Sequence, residues 1–204
     1  MRFLFLKRPF DIALSSVGIV LSSPLWILFS LLIWFEDRGP IFYKQERIGK
    51  DGKIFMALKF RSMIRDAERE EGPIQARVND KRVTNVGKFL RATAMDELPQ
   101  LTNIFKGDMS FVGPRALRPA EIENHGNHTT SLKDLPGFAR RHSIRPGLTG
   151  LTQVYLPKDF PIKKKFRYDL QYIKNRSFWM DLKLIFLSFW ITFRAKWETR
   201  NKKL

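Results

Sequence analysis

The residues best suited to chemistry in this chain are an adjacent Asp-Glu pair, Asp96-Glu97. Pro99 follows closely, and because proline is tolerated in the first turn of a helix, the pair is predicted to begin one. Such a pair often has a structural role only, since aspartate caps helix N-termini and glutamate complements the helix dipole. The surrounding charges favour a second role, in which one carboxylate attacks phosphorus and its neighbour binds a divalent metal ion.

Basic residues lie on both sides of this pair and could hold phosphate groups. Arg91 precedes the pair, and Arg115 follows it in a Gly-Pro-Arg turn. Helix N-termini attract anions, and arginine binds phosphate through paired hydrogen bonds. A carboxylate among cations stays ionised, and Mg²⁺ usually takes one or two carboxylates plus phosphate oxygens. Further candidates are Lys59, Arg61 and Arg145, although each cation taken singly would be an ordinary surface charge.

The composition predicts an anionic partner. The 204 residues include 37 Lys and Arg against 20 Asp and Glu, a formal net charge of +17. Nucleic acid, a phosphorylated ligand and an acidic lipid surface all fit that charge. The chain has no cysteine, which excludes a disulfide framework and a cysteine-ligated metal. The hydrophobic fraction of 44% is too high for a disordered chain.

A long uncharged stretch, Ile12 to Phe35, indicates contact with a membrane. It exceeds the roughly 20 apolar residues that a helix needs to cross a bilayer core. Ser23 and Pro24 lie in its middle, and proline removes a backbone hydrogen bond, so the helix is predicted to kink or break there. A cleaved signal peptide fits less well, because no small-residue cleavage site follows.

The charges flanking this stretch favour a re-entrant helix hairpin over a spanning helix. Arg2, Lys7 and Arg8 precede it, and several basic residues follow it from Arg38 onward. Because basic residues mark the cytoplasmic side of a membrane, both ends are predicted to lie there. A kinked helix that spans the bilayer remains the alternative.

A second apolar stretch lies near the C-terminus, from Phe178 to Trp197. Its uncharged centre, Leu184 to Phe193, is too short to span a bilayer. Aromatic residues mixed with flanking Lys183 and Arg194 are typical of an amphipathic helix that lies in the membrane interface. A helix buried in the soluble core is the alternative.

The rest of the sequence predicts a mixed α/β, helix-rich fold with a small antiparallel β-hairpin. Strands over 41–49 and 54–60 are joined at an Asp-Gly turn. The predicted domains are a re-entrant membrane helix over 1–36 and a cytoplasmic catalytic domain over 37–204, with the interfacial helix at about 178–197. Helices are predicted over 61–71, 84–93, 96–105 and 166–175, a loop over 72–81, and a turn over 145–150.

Motifs along nearly the whole chain resemble one protein family. They are Lys7-Arg8-Pro-Phe-Asp11, the Ser23-Pro24 break, Gly39 to Gly49, Lys59-Phe-Arg61, Gly87 to Arg91, Asp96 to Arg115, Arg145 to Gly150 and Tyr168 to Asn175. In this order they resemble the bacterial sugar transferases, the monotopic phosphoglycosyl transferases. The chain is similar to the minimal catalytic core of that family.

The resemblance implies transfer of a phosphosugar from a UDP-sugar to undecaprenyl phosphate, with release of UMP. The reaction would begin surface polysaccharide or glycoconjugate synthesis at the cytoplasmic face of the bacterial inner membrane. By similarity, Asp96 is the nucleophile that forms an aspartyl–phosphosugar intermediate, and Glu97 binds Mg²⁺. Phosphates would lie near Arg91, Arg115 and Arg145, with Lys59 and Asp169 in supporting roles. The family's membrane helix is re-entrant.

Other functions predict different behaviour. A basic nucleic-acid-binding protein would explain the charge but not the apolar stretch. A membrane scaffold of the same family without activity would have little need for the intact Asp96-Glu97 pair. Direct transfer without a covalent intermediate is an alternative within the enzyme class. The sequence leaves the sugar and the oligomeric state open, a homodimer included, and it offers 116–143 as a candidate specificity region.

Overall fold

The computed structural model describes residues 2–67, 80–119, 122–125, 128–157 and 160–197. The helices are α1 (Arg2–Asp37), α2 (Asn85–Thr93), α3 (Gln100–Lys106), α4 (Phe138–Arg141), α5 (Leu151–Tyr155), α6 (Ile162–Asn175) and α7 (Phe178–Phe193). The strands are β1 (Phe42–Ile48), β2 (Ile54–Phe60), β3 (Ser110–Val112), β4 (Ile122–His125), β5 (His128–Ser131) and β6 (Gly147–Thr149). This confirms a mixed, helix-rich α/β fold.

Helix α1 remains helical through Pro24, so the predicted break at Ser23-Pro24 is not confirmed. Pro24 has no N–H to donate to the carbonyl of Val20, four residues earlier. The hydroxyl of Ser23 donates to that carbonyl instead, at 2.8 Å. A serine hydroxyl therefore satisfies the acceptor that proline leaves unpaired, which lets the helix continue in an apolar setting.

Both halves of α1 pack against the same body of the protein. In the first half, Phe10 and Leu14 contact the main hydrophobic core. In the second half, Phe29 and Ile33 are buried against Phe60 of β2 and neighbouring residues. Phe5 to Asp37 is also long and apolar enough to cross a membrane, and only 11% of its apolar window is buried in the protein. The inner face of α1 thus belongs to the fold, while most of its surface remains apolar and uncovered.

The ends of α1 also bond to that body. Arg8 donates to the carbonyls of Ile104 and Phe105, at 2.6 and 2.7 Å, near the C-terminus of α3. Glu36 accepts hydrogen bonds from the backbone N–H groups of Asn85 and Val86 at the start of α2. Such groups have no partner within their own helix, so α1 supplies caps to two other helices.

The predicted hairpin is confirmed. Strands β1 and β2 pair antiparallel in continuous register from Phe42↔Phe60 to Ile48↔Ile54. Asn103 of α3 fixes this hairpin to the helix, because its side chain accepts from the N–H of Leu58 at 3.0 Å and donates to the carbonyl of Met56 at 2.8 Å. Lys59 of β2 is thereby held beside the segment that leads into α3.

The predicted turn over 145–150 is wrong, because its centre is strand β6, paired in parallel with β3. Gly147 makes this pairing possible. A Cβ atom at Gly147 would lie 2.1 Å from the backbone nitrogen of Gly113, closer than any real contact. The two glycines let the chain that enters the Gly-Pro-Arg turn pass directly against β6.

The helix predictions have mixed outcomes. The helix over 84–93 is confirmed as α2, with the hydroxyl of Thr84 as its N-cap. The prediction of a helix over 61–71 is wrong for residues 61–67, where Met63 forms an antiparallel bridge with Val83. Residues 68–71 lie outside the described residues, as does the predicted loop over 72–81 except for 80–81. The predicted helix over 96–105 is divided in the structure into a 3₁₀ turn and α3. The helix predicted over 166–175 is α6, which begins four residues earlier. The predicted C-terminal helix is α7.

Candidate active site

Asp96 lies in a short 3₁₀ turn, Met95–Glu97, between α2 and α3. Ala94 ends α2 in the left-handed conformation, with φ of 56°, and so reverses the chain into this turn. Pro99 then leads into α3. The Asp-Glu pair is therefore held between two helices in a tight turn, rather than forming the first turn of one α-helix. Both side chains are partly buried.

Two cations from distant parts of the chain form ion pairs with Glu97. The ammonium of Lys59, on β2, lies 2.6 Å from Oε1, and a guanidinium nitrogen of Arg115 lies 3.0 Å from the same oxygen. Both cations therefore contact the same carboxylate oxygen of Glu97. Lys59, Glu97 and Arg115 line a small cavity together with Arg47, Gln100 and Gly147.

The two carboxyl groups have opposite pKa shifts. Burial raises the pKa of Asp96 to about 6, and the charge of Glu97 adds to this, while Lys59 and Arg91 oppose it. Burial also opposes ionisation of Glu97, but Lys59 and Arg115 outweigh it and hold the pKa of Glu97 well below its usual range. Burial lowers the pKa of Lys59, against the pull of both carboxylates. The pair therefore combines a carboxylate whose ionised form is favoured with one whose pKa is raised toward neutrality.

A buried ion pair supports the turn that carries Arg115. Arg141 donates to the backbone carbonyl of Arg115 at 2.6 Å and to the carboxylate of Asp169 at 2.8 Å. Both side chains of the pair are only 2% exposed. The hydroxyl of Thr152 adds a further hydrogen bond to Asp169, at 3.1 Å. Asp169 thus lies behind the site and acts on it through Arg141.

Sequence reasoning missed Arg141 and Arg47. Arg47 lines the cavity and donates to the carbonyl of Ala116 at 2.7 Å, just beyond the Gly-Pro-Arg turn. In the structure it stands on the same face of β1 as the partly buried Tyr43 and the buried Gln45, but a charged residue on a predicted strand gave no sign of burial in the sequence. Arg141 gave no signal either, since it is one of two adjacent arginines in a short helix and its partner is distant in sequence.

The other predicted phosphate-binding residues have separate locations. Arg91 is near enough to Asp96 to affect its pKa. Arg61 instead forms an ion pair with Asp37 at the end of α1, and Arg145 donates to the carbonyl of Gly107 at 2.7 Å, at the C-terminal end of α3. The structure therefore brings together Lys59, Arg91, Asp96, Glu97 and Arg115, and it places Arg61, Arg145 and Asp169 outside this group.

The site suits a metal that shares its coordination with a substrate. Among the residues that the structure describes, no three acidic, histidine or cysteine side chains form a metal-binding group. Mg²⁺ needs no such cage, since it commonly takes one or two carboxylates and completes its shell with phosphate oxygens and water. The adjacent Asp96 and Glu97 fit that mode. His142 is not a candidate ligand, because it is buried and both of its ring nitrogens are already paired, Nε2 with the guanidinium of Arg141 and Nδ1 with the carbonyl of Phe138.

Comparison with known proteins identifies a family to which the chain is similar. A family model described as bacterial sugar transferase matches residues 2–195. A UDP-glucose:undecaprenyl-phosphate glucose-1-phosphate transferase of Klebsiella pneumoniae is 42% identical over 190 residues, covering 89% of this chain and 39% of the relative. A UDP-N-acetylgalactosamine-undecaprenyl-phosphate N-acetylgalactosaminephosphotransferase of Aeromonas hydrophila is 38% identical over 185 residues, 89% of this chain and 42% of the relative.

A shorter relative matches along most of its length. An exopolysaccharide production protein of Rhizobium leguminosarum bv. phaseoli is 40% identical over 188 residues, covering 90% of this chain and 92% of the relative. The chain spans about two fifths of the length of the Klebsiella and Aeromonas relatives.

Proposed function

The chain belongs to the bacterial sugar transferase family, and from that membership we propose that it transfers a phosphosugar from a UDP-sugar to undecaprenyl phosphate. UMP is the second product, and the lipid-linked sugar begins surface polysaccharide or glycoconjugate synthesis. Two of the relatives carry this chemistry in their names, with glucose 1-phosphate or N-acetylgalactosamine phosphate as the transferred group. The sugar that this chain transfers is left open.

One observation carries the proposal: a titratable carboxylate adjoins an ionised one inside a group of cations. Asp96 has a pKa near neutrality, and Glu97 is held ionised by Lys59 and Arg115. A diphosphate brought into this group would meet cations that offset its charge and a carboxylate able to attack phosphorus. Neither a structural helix cap nor a general acidic surface needs this arrangement.

In the first step, a carboxylate oxygen of Asp96 attacks the phosphorus that bears the sugar. A new P–O bond forms to Asp96, and the bond from that phosphorus to the bridging oxygen breaks. UMP leaves with that oxygen and its electron pair. Lys59 and Arg115 offset the negative charge that develops on the phosphate oxygens, as preorganised cations do in phosphoryl transfer.

In the second step, a phosphate oxygen of the lipid attacks the same phosphorus. The bond from phosphorus to Asp96 breaks, which regenerates the carboxylate and gives a polyprenyl diphosphosugar. Neither step requires a net proton transfer, so the site needs no histidine as a general acid or base. A covalent intermediate lets one site serve a water-soluble donor and a lipid acceptor in turn.

Glu97, with Asp96 beside it, would hold Mg²⁺. When bound, Mg²⁺ supplies Lewis-acid stabilisation of the diphosphate charge. Glu97 keeps its ionised form for this purpose because Lys59 and Arg115 hold its pKa low.

We also place the protein at the cytoplasmic face of the bacterial inner membrane. Support comes from α1, whose first and second halves both pack on one body and whose two ends both bond to it. A helix held in this way has both ends on the side where the body lies, which favours an arrangement that does not span the bilayer. The exposed aromatic residues of α7, among them Trp179 and Phe193, suit contact with the membrane interface.

The test is UMP release by the purified full chain in detergent or nanodiscs. Undecaprenyl phosphate, Mg²⁺ and a panel of UDP-sugars are supplied, and release for one donor with loss on chelation is expected. No release with any donor would favour the inactive scaffold. A nucleic-acid-binding protein would instead show salt-dependent binding to DNA or RNA without UMP release.

The pH dependence gives a separate prediction. Asp96 attacks only as a carboxylate, and its pKa in the free protein is raised to about 6. We therefore expect kcat/KM for the UDP-sugar to fall as pH drops through about 6 and to level off above it. Glu97 stays ionised across this range and adds no second limb. A profile that is flat from pH 5 to pH 8 would contradict the assignment of the titrating group to Asp96.

A further inference from the structure

An apolar groove lies between α5 and α7. It is separate from the cation group, the name used here for Lys59, Arg91 and Arg115 around Asp96 and Glu97. Its volume is about 440 Å³, within the range of small-molecule sites. Its apolar lining comes from both helices, and Lys183 contributes a cation at an exposed position. The lining residues are Leu151, Tyr155, Trp179, Met180, Lys183 and Leu184. An apolar groove with one exposed cation suits a hydrocarbon chain that ends in an anionic group.

The groove lies beside the membrane helix. The start of α7 contacts α1 through the rings of Phe178 and Phe10, 5.4 Å apart, and through an ion pair between Asp181 and Lys7. Trp179 at the edge of the groove is 77% exposed. Indole side chains at such positions are typical of the membrane interface. A lipid could therefore enter the groove without leaving the membrane surface.

Strand β6 connects the groove with the cation group. Gly147, its first residue, lines the small cavity beside Glu97, and Leu151, four residues later, lines the groove. Four residues span at most about 14 Å. Thr149, midway between them, hydrogen bonds through its hydroxyl to Ser188 and so fixes β6 against α7. A lipid phosphate at the cation group and the near end of its chain in the groove would be a short distance apart.

We propose that this groove holds the first isoprene units of the polyprenyl phosphate acceptor, an inference that rests on the function proposed above. A membrane phospholipid would also fill an apolar groove, but the function proposed above brings the acceptor phosphate, and not a phospholipid headgroup, to the cation group. The short connection through β6 favours the acceptor. Lys183 attracts the acceptor phosphate as the lipid enters, and the cations around Glu97 then receive it.

The test places a charge in the groove through Tyr155→Glu. Tyr155 is 39% exposed, so the fold should tolerate the change. Tyr168→Glu is the matched control, because Tyr168 is 37% exposed on α6 and does not line the groove. Met180→Trp, which fills the groove without adding charge, is a second variant. Acceptor KM is measured with undecaprenyl phosphate and with a short-chain geranyl phosphate, alongside the KM for the UDP-sugar.

Both groove variants should raise the KM for undecaprenyl phosphate by about tenfold, the effect of roughly 1.4 kcal/mol of lost binding. The KM for geranyl phosphate should rise by a similar factor, because its two isoprene units would occupy the same groove, and the donor KM should stay at the wild-type value. Tyr168→Glu should match the wild type throughout. An unchanged KM for undecaprenyl phosphate in both groove variants would overturn the proposal.

A different pattern would assign the groove to bulk lipid. In that case the groove variants would bind less to phospholipid vesicles, and the KM for the short-chain geranyl phosphate would stay at the wild-type value; this result also overturns the proposal. Failure of the proposed function would look different again, since the wild-type protein would then transfer no phosphosugar to either acceptor.

Discussion

Asp96→Asn is expected to lower the rate of phosphosugar transfer by roughly 10⁴-fold or more, the scale seen when a covalent nucleophile is removed. The amide is nearly the same size as the carboxylate, but it is not a competent nucleophile toward phosphorus. Because burial disfavours the ionised form of Asp96 and raises its pKa to about 6, the neutral amide should leave folding stability at pH 7.5 unchanged or higher. Measurements of transfer activity and of thermal unfolding on the same preparation check the expected loss of rate and the expected stability.

The matched control is Asp51→Asn. Asp51 lies in the β1–β2 turn with a positive φ of 55°, a conformation that asparagine also adopts readily, and its side chain is exposed. This variant should keep wild-type activity. Near-normal turnover in Asp96→Asn would instead favour direct transfer from donor to acceptor, with the enzyme class unchanged. Loss of activity together with a lower unfolding temperature would show that Asp96 serves the fold as much as the chemistry.

The second large effect is expected at the buried ion pair behind Arg115. Arg141→Met leaves the carboxylate of Asp169 without its guanidinium partner in a site that is 2% exposed. Loss of one member of a buried pair typically costs about 3–5 kcal/mol of stability. The same change removes the hydrogen bond to the carbonyl of Arg115, so kcat/KM should also fall. Chemical or thermal unfolding in detergent measures the first effect, and UMP release the second.

The double variant Arg141→Met/Asp169→Leu separates the two roles. Replacing both members of a buried ion pair with apolar residues is often neutral for stability, so most of the lost unfolding free energy should return. Activity should not return, because the carbonyl of Arg115 still lacks its donor. Full recovery of kcat/KM in the double variant would show that Arg141 does not position the Gly-Pro-Arg turn. A single variant as stable as the wild type would contradict the energetic argument.

Local signals account for the parts of the fold that could be predicted. The β-hairpin follows from an Asp-Gly turn between two β-prone stretches, and α2 follows from a Thr84 cap before an amphipathic segment. The pairing of β3 with β6 has no comparable signal, because each strand has three residues and their partners lie far apart in the chain. For the same reason Gly147 was predicted to be part of a turn, although in the structure it allows two backbone segments to approach closely.

The candidate site likewise has residues that local signals predict and residues that they do not. Asp96 and Glu97 were predicted from adjacent residues and nearby charges, and the structure brings Lys59, Arg91 and Arg115 to them. A chain with 37 basic residues offers many equivalent candidates, however, and sequence alone does not tell which arginine pairs with which carboxylate. Arg61 bonds to Asp37, and Asp169 bonds to an arginine that no motif singled out.

The docking of α1 links lipid binding to folding. Its inner face completes the core and its ends cap α2 and α3, so the outer face is presented in one arrangement only when the rest of the chain is folded. Any bilayer that binds this arrangement in preference to the unfolded chain adds its binding free energy to the stability of the fold, as a ligand does. The unfolding midpoint then becomes a function of lipid concentration, and a stability measured in one detergent is a property of the protein and that detergent together.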